Sequence, residues 1–326
     1  MPLTELVPHR RLELFAGRSH PELAVAIARE LNTELGEANL RDFSVGEIHC
    51  RFDESIRGSD VFIIQTHCPP VNDSIMEQLI MIDAAKRASA RRIIAVCPYY
   101  GYSRQDRKST GREPITAKLI ADLLSRAGAT RVISVDLHSG QIQGFFDCPV
   151  DHLTGAPVLL DYLRDQKVPD MVVVSPDAGR VKVAERFSQQ LGADLAFVHK
   201  RRPPGAADSV EALEVIGDVE GRVAVVIDDM IDTAGTICAA AERLIEAGAV
   251  DVWAMATHPL LSDPALERLE AAPISRVIVT DTMPLPPERR IPKIKVLSIA
   301  GIIADAIDAV FEDTSVSEIF GGQNLS

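Results

Sequence analysis

RVAVVIDDMIDTAGTI, residues 222–237, sets a β-branched run, two adjacent acids and a Gly-Thr step side by side. The apolar segment Val223–Ile227 reads as a strand running straight into Asp228 and Asp229. A short loop with Asp232, Thr233, Ala234, Gly235 and Thr236 then opens a helix. Loop amides and a helix N-terminus at that point suit a phosphate, and the paired carboxylates suit sugar hydroxyls or a metal. The purely structural alternative is an acidic strand end with a Thr N-cap. Ala234 carries a Cβ, which disfavours positive φ there.

Outward from this run, short β-branched segments alternate with helical patterns, as in βαβ units that set a parallel sheet between helices. In the first half the strands are Leu12–Phe15, Val61–Gln65, Arg92–Cys97 and Val132–Val135. Helical spacing fills His20–Leu35, Ser74–Ser89 and Ile115–Ala127, and Ser74 with Glu77 has capping-box form. The second half repeats the rhythm, with strands at Met171–Ser175, Ala196–His199, Val223–Ile227, Val252–Ala256, Val277–Thr280 and Lys295–Leu297. Its helices are Val181–Leu191, Thr236–Ala247 and Ile302–Phe311. The segment KRRPPGAAD, Lys200 to Asp208, breaks the rhythm and reads as an exposed, mobile loop.

With 326 residues, 46% hydrophobic and 25% charged, the chain is a packed globular protein of two domains. Lys and Arg number 34 against 47 Asp and Glu, a formal charge of −13, so the surface as a whole repels nucleic acid and anionic membranes. Any polyanion binds in a local basic pocket. Five widely spaced cysteines without a CxxC pair indicate neither disulfides nor zinc, and no apolar run approaches the roughly 18 residues of a membrane helix. A cytoplasmic location is expected.

No GxxxxGK[ST] or GxGxxG occurs, so the binding signals are sought where open α/β sheets hold ligands, at the carboxyl ends of strands. PYYGYSRQDRK follows the Arg92–Cys97 strand and sets Arg104, Arg107, Lys108 and Arg112 against Asp106 alone. Tyr99, Tyr100 and Tyr102 share the stretch, suiting a nucleoside triphosphate with cations on its phosphates and rings near its base. A solvated basic loop is the bland alternative. Asp136 and His138, two apart at a strand end, leave on one side and can reach one metal-triphosphate.

RDFSVGE (41–47), YSRQDRK (102–108), VDLHSGQIQGFFD (135–147), SPDAGR (175–180), HKRR (199–202) and the Asp228 run resemble, in this order, the ribose-phosphate pyrophosphokinases (PRPP synthetases) of the phosphate-activated, magnesium-dependent class. The likeness extends from about Leu14 to Phe320. It implies an α/β fold of two similar phosphoribosyltransferase-like domains, each a mainly parallel sheet flanked by helices, over residues 10–153 and 154–311, with a tail over 312–326. It implies transfer of the diphosphoryl group of Mg-ATP to the C1 hydroxyl of ribose 5-phosphate, giving PRPP and AMP for nucleotide, histidine and tryptophan biosynthesis.

By the same resemblance Phe43, Val45, Gly46, Glu47, Arg104, Gln105, Asp106 and His138 bind ATP, Val45 through backbone alone because the family usually has Asp or Asn there. Arg202, Asp228, Asp229 and Asp232–Thr236 bind ribose 5-phosphate. His138 and Asp177 take magnesium, with Asp136 a weaker ligand, and Lys200 and Arg202 stabilise the transition state. Ser55, Arg57, Gln143, Ser315, Val316 and Ser317 match the pocket for activating phosphate or inhibitory ADP, and a homo-hexamer is implied. A phosphoribosyltransferase would use only the Asp228 loop. A non-catalytic regulatory subunit is the other alternative, in which loop residues such as His138, Asp177 and Lys200 would be disrupted.

Overall fold

A computed structural model of the chain describes residues 10–201 and 212–320. The chain forms two compact units. One takes the residues up to Leu153 together with the segment beginning at Ala300, and the other runs from Thr154 to Ile299.

In the first unit, β1 (Leu12–Ala16) leads to α1 (Pro21–Glu30), then to β2 (Ala38–Asp42) and β3 (Ile48–Phe52). β4 (Asp60–Ile64), α2 (Val71–Arg87), β5 (Arg92–Cys97), α3 (Thr116–Ala127), β6 (Arg131–Val135) and β7 (Val150–Leu153) follow. The sheet order is β1-β4-β5-β6-β7, with every pairing parallel. Helices covering a parallel sheet bury its central strands; all of β4 is buried, and so is β5 after Arg92. Val61 and Ile63 of β4 and Ile93 and Ala95 of β5 pack with Met81, Ile82, Ile120 and Leu124 from the helices.

β2 and β3 form a separate antiparallel ribbon that escaped the sequence pattern. The ring of Phe52 meets Phe15 of β1 with centroids 4.4 Å apart. The expected capping box is also replaced. α2 begins three residues earlier, after Pro70. The Ser74 hydroxyl donates to the Val71 carbonyl at 2.8 Å, while Glu77 is buried and accepts from Arg18.

In the second unit, α4 (Ala156–Gln166) precedes β8 (Met171–Ser175), α5 (Val181–Leu191), β9 (Asp194–Arg201) and β10 (Ala212–Ile216). β11 (Val223–Ile231), α6 (Gly235–Glu246), β12 (Asp251–Pro259), α7 (Ala265–Ala271), β13 (Arg276–Thr280) and β14 (Ile294–Leu297) complete it. The order is β10-β9-β8-β11-β12-β13-β14, parallel except for β10 at the edge. Along β11, Ala224 and Val226 enter the core with Ile237 and Ala241 of α6. Val225 and Ile227 enter the opposite core with Leu159 and Leu163 of α4 and Phe187 of α5. The expectation of two mainly parallel sheets flanked by helices is met.

The second domain's expected limit at residue 311 is corrected, because α8 (Ala300–Phe311) belongs to the first unit. Ile302, Ile303, Ala306, Ile307 and Val310 are all buried, and the helix packs on α1, whose Leu23, Ala24 and Ile27 are buried as well. Just beyond its end, Asp313 pairs with Arg10 and Arg92, each at 2.7 Å. Arg92 in turn reaches Asp60 at 2.6 Å, and Arg91 grips the same carboxylate with two bonds of 2.8 and 2.6 Å.

The Asp60 side chain is 0% exposed. Burial alone would raise its pKa, but the hydrogen bonds from Arg91 and Arg92 outweigh this and hold it below the usual range. Asp60→Asn removes one partner of a buried ionic network and should cost about 3 kcal/mol of stability at pH 7. Because the folded value is depressed, that advantage exists above the unfolded value of about 4 and is lost as pH falls through the folded one. Denaturant titrations of both proteins should therefore begin to converge as pH falls below about 4 and meet only once it has passed the depressed folded value. A gap independent of pH would contradict the ionic origin.

Candidate active site

In the second sheet the chain passes from β8 outward to β9 on one side, while β11 lies on the other, so the strand order reverses between β8 and β11. Such a switch point, at the carboxyl ends of the strands, is where open α/β sheets bind ligands. β8 pairs with β11 only as far as Val174↔Val226, whereas β12 continues alongside to Pro259. β11 therefore runs on to Ile231, four residues past its expected end, and Asp228 and Asp229 stand inside the strand on its opened flank.

The loop vacated by β8 returns to this flank. Ser175 Oγ donates to the Asp177 carbonyl at 2.6 Å, and Asp177 Oδ1 accepts the amides of Gly179 at 2.7 Å and Arg180 at 3.2 Å. This turn delivers Arg180, which precedes α5. Its Nη2 donates to Asp229 Oδ2, and its Nε lies 3.4 Å from Asp228 Oδ1. Asp228 Oδ1 also accepts the Asp229 amide at 2.8 Å. Burial, reinforced by the adjacent Asp229 charge, pushes the Asp228 carboxyl up to about 8, against the pull of Arg180.

Past Ile231 the loop turns at Ala234, which takes φ +60° and ψ 3° and serves as N-cap of α6. The expectation that its Cβ would keep it from positive φ is thus corrected. Ala234 is buried, among the residues packed against Ile231 and Ile237, and this packing over-determines the backbone. Arg268 Nη1 donates to the Thr233 carbonyl at 3.0 Å and steadies the same turn. Gly235 and Thr236 open the helix, so their amides are among those without intrahelical acceptors and available to an anion.

In the first unit, Phe43, Val45, Gly46 and Glu47 form the tip of the β2–β3 ribbon. The turn is closed by Phe43 N to Glu47 O and Gly46 N to Phe43 O, both 2.8 Å, with Gly46 at φ +88°. Phe43 is 48% and Val45 77% exposed, so the Phe43 ring is available for stacking, with Arg41 already 5.7 Å from its centroid. A pocket of about 430 Å³ is lined by Gly46 and Asp42 of the ribbon and by Arg18, Ser19, Gln65 and Glu77. Arg18 binds both Asp42 oxygens, at 3.1 and 2.7 Å, while its Nε and backbone amide donate to Glu77 at 2.5 and 2.6 Å.

Arg104, Gln105 and Asp106 lie in the loop after β5, with the cations Arg104, Arg107, Lys108 and Arg112 exposed. The ring expectation is corrected for two tyrosines. Tyr99 and Tyr100 are core residues, and the Tyr100 hydroxyl donates to the Ala117 carbonyl at 2.9 Å. The loop's base rests on His67. Gln78 Nε2 donates to Ile63 O (3.2 Å) and Val96 O (3.4 Å), so its Oε1 faces His67 Nε2 at 2.8 Å. That assigns the proton to Nε2 and leaves Nδ1 to accept the Gly101 amide at 3.0 Å. Burial lowers this ring's pKa to about 4, which keeps the neutral tautomer. A Cβ at Gly101 would stand 2.9 Å from the His67 Cβ.

β6 ends at Val135 and Asp136 takes φ +36°, so the strand alternation expected to send Asp136 and His138 to one side does not extend to them. Gln141, in the 3-10 turn Gly140–Phe145, donates to Asp106 at 3.2 Å and links this loop to the basic one. Gln143 of the same turn bonds the Gly140 carbonyl at 3.0 Å. Among the other expected phosphate-site residues, Ser55 and Arg57 offer their carbonyls to Arg11 at 3.0 and 3.3 Å. Ser315 and Ser317 hydroxyls are 2.8 Å apart, and Val316 opens a short 3-10 turn. Lys200 stands in β9, paired in register with Leu213, rather than in a loop; Arg202 lies outside the described residues.

Asp136 and His138 belong to the first unit and Asp177 to the second, and the turn at Asp177 uses only its Oδ1. A hydrated magnesium held largely by substrate phosphates takes few protein oxygens. Among the described residues no three His, Cys, Asp or Glu side chains gather to hold an ion by themselves. Two groupings were invisible in sequence: Arg180 with Asp228 and Asp229, and Arg18 with Asp42 and Glu77. Both join positions tens of residues apart, a spacing that no local periodicity reports.

Residues 12–128 match the family model of the N-terminal domain of ribose phosphate pyrophosphokinase, and residues 201–321 that of the phosphoribosyl synthetase-associated domain. The chain is 55% identical over 316 residues to the ribose-phosphate pyrophosphokinase of Streptomyces avermitilis, covering 96% of this chain and 97% of that one. It is 54% identical over 310 residues to that of Caldanaerobacter subterraneus subsp. tengcongensis, covering 95% and 98%. The crystal structure of phosphoribosylpyrophosphate synthetase from Mycobacterium smegmatis superposes with a TM-score of 0.89 at 53% identity, over 93% of this chain and 100% of that one. The chain belongs to the ribose-phosphate pyrophosphokinase family.

The raised Asp228 pKa has a measurable consequence for stability. Its folded value lies above the unfolded one of about 4, so the folded form keeps a proton that the unfolded chain releases, and stability falls as pH rises from about 4 towards 8. Asp228→Asn stays neutral throughout. Its thermal midpoint should exceed that of the natural protein by more at pH 8 than at pH 5, and an equal difference at both would refute the shift.

Proposed function

We propose that this protein transfers the diphosphoryl group of ATP to the C1 hydroxyl of ribose 5-phosphate, forming 5-phosphoribosyl 1-diphosphate and AMP. The observation that carries this reading is the nearly end-to-end match, at 54–55% identity, to proteins named ribose-phosphate pyrophosphokinase. A transferase would leave the basic loop at Arg104 idle, and a regulatory subunit would not need His138, Asp177 and Lys200.

Asp228 and Asp229 accept from the sugar hydroxyls, while the amides from Asp232 to Thr236 hold the 5-phosphate against the N-terminus of α6. Arg104 and Gln105 grip the triphosphate, with Asp106 fixed beside them by Gln141. Phe43 stacks on the base, Glu47 accepts from it, and Val45 and Gly46 contribute backbone. His138 and Asp177, with Asp136 as a weaker ligand, would hold magnesium, which supplies charge neutralisation on the phosphate oxygens. The C1 hydroxyl attacks the β-phosphorus and AMP departs in line; no covalent enzyme intermediate is required, so positioning and electrostatics carry the rate. Lys200 and Arg202 stabilise the charge that develops on the transferring group.

The reading extends to activation by inorganic phosphate through Ser55, Arg57, Gln143 and Ser315–Ser317, to a cytoplasmic homo-hexamer, and to domains over 10–153 and 154–311 less α8. Among the described residues no helix is long and apolar enough to cross a membrane.

Purified protein with magnesium and phosphate should release AMP from ATP only when ribose 5-phosphate is present, mole for mole with PRPP. Absence of AMP from folded protein would sink the reading. Lys200→Ala should lower turnover at saturating substrates about a hundredfold; near-normal turnover would remove Lys200 from that role.

A further inference from the structure

Arg180 joins three of the residues assigned above, Asp228 and Asp229 through its side chain and Asp177 through its amide, yet none of those roles includes it. Adjacent residues of a strand point to opposite faces, so one side chain rarely serves both. Arg180 engages Asp228 and Asp229 together because it approaches from the flank that β8 leaves after Val174. Its own backbone is fixed twice. The amide donates to Asp177 Oδ1 at 3.2 Å, and its carbonyl accepts the Val183 and Ala184 amides at 3.0 and 3.1 Å as α5 begins. The side chain is 17% exposed, against 17% for Asp228 and 10% for Asp229.

Two neighbouring acids at such depth are poorly hydrated, and ionising both would set like charges side by side, so their orientation depends on a counter-charge. A planar guanidinium with several donors can bridge them, whereas an ammonium acts as a point charge.

We propose that Arg180 is a positioning residue for the acceptor sugar: by bridging Asp229 and Asp228 it holds both carboxylates as acceptors for the ribose hydroxyls. The proposal rests on the acceptor-site reading given above and adds a residue that determines its specificity. It also connects the Asp177 turn to the sugar site, since the residue that caps that turn carries the bridging guanidinium.

Without the guanidinium, the acid pair loses its fixed orientation and hydroxyl recognition weakens, while the nucleotide site in the first unit is untouched. Arg180→Ala should raise KM for ribose 5-phosphate about tenfold and KM for ATP less than about twofold, the size expected for losing a charge-assisted hydrogen bond. The preference for ribose 5-phosphate over 2-deoxyribose 5-phosphate, measured as a ratio of kcat/KM, should fall by a similar factor, which general loosening of the fold would not produce. Arg180→Lys should lie between the two, keeping the charge but not the bridge.

If the natural enzyme makes no AMP with ribose 5-phosphate, the function itself fails. Given an active natural enzyme, three results would each overturn the role of Arg180 alone: KM values that rise together, an unchanged sugar preference, or Arg180→Lys indistinguishable from the natural protein. Should Arg180→Ala not fold, Arg180→Lys with its KM split and sugar preference decides.

Discussion

A parallel strand covered on both faces has no place for a polar side chain until one neighbour departs. β11 obeys this rule. From Val223 to Val226 it is paired on both sides, and every residue from Ala224 to Ile227 is buried in one of two apolar cores. Its carboxylates come only after β8 has turned away at Ser175. The departing strand then supplies the turn at Asp177 and the guanidinium of Arg180, so the same break in pairing exposes the acid pair and partners it. In the first unit the basic loop follows Cys97 at the end of β5, and the Asp136–His138 segment follows Val135 at the end of β6.

The β2–β3 ribbon follows a different logic. It pairs with neither sheet and depends on side chains for its attachment. Ala38, Leu40, Cys50 and Phe52 pack it against the core, Phe52 on the ring of Phe15, and Arg18 ties it by gripping Asp42 with one end and buried Glu77 with the other. An exposed pair such as Arg18–Asp42 contributes little to stability alone. Glu77 changes its character, because a buried carboxylate fixes the guanidinium's orientation before Asp42 is met. The ribbon tip bearing Phe43 and Glu47 is thereby oriented from Asp42, the residue of β2 next to it.

These contrasts explain what could be read from the chain. The central strands were legible because burial on both faces demands an unbroken apolar run, as at Arg92–Cys97 and Met171–Ser175, and the Asp228 loop was legible because strand, acids, turn and helix are contiguous. The ribbon was not, since ANLRD and IHCRF are half-exposed and carry no such run. Ser74 with Glu77 satisfied a local capping pattern, but Pro70 starts the helix earlier and Arg18, fifty-nine positions from Glu77, claims the carboxylate. α8 reads as a helix from its sequence, but which unit it joins is settled by α1 and by Arg10 and Arg92, which Asp313 just past its end pairs with, all of them far from it in the chain.

Part of the backbone strain falls in the same segments, although helix ends such as Asn32, Ser89 and Lys167 carry it too. Tyr102 and Arg112 in the basic loop, Asp136 after β6 and Ala234 at the head of α6 all take positive φ without being glycine. A left-handed conformation costs a non-glycine residue about 1 kcal/mol, and a packed surround is needed to hold it. Ala234 has that surround in Ile231 and Ile237, and Tyr102 has its hydroxyl bonded to Asn72 at 2.5 Å. The carboxyl of Asp228, removed from water beside a second acid, is a further local cost of the same kind. The two sheets, apolar throughout their centres, provide the stability against which these costs are set.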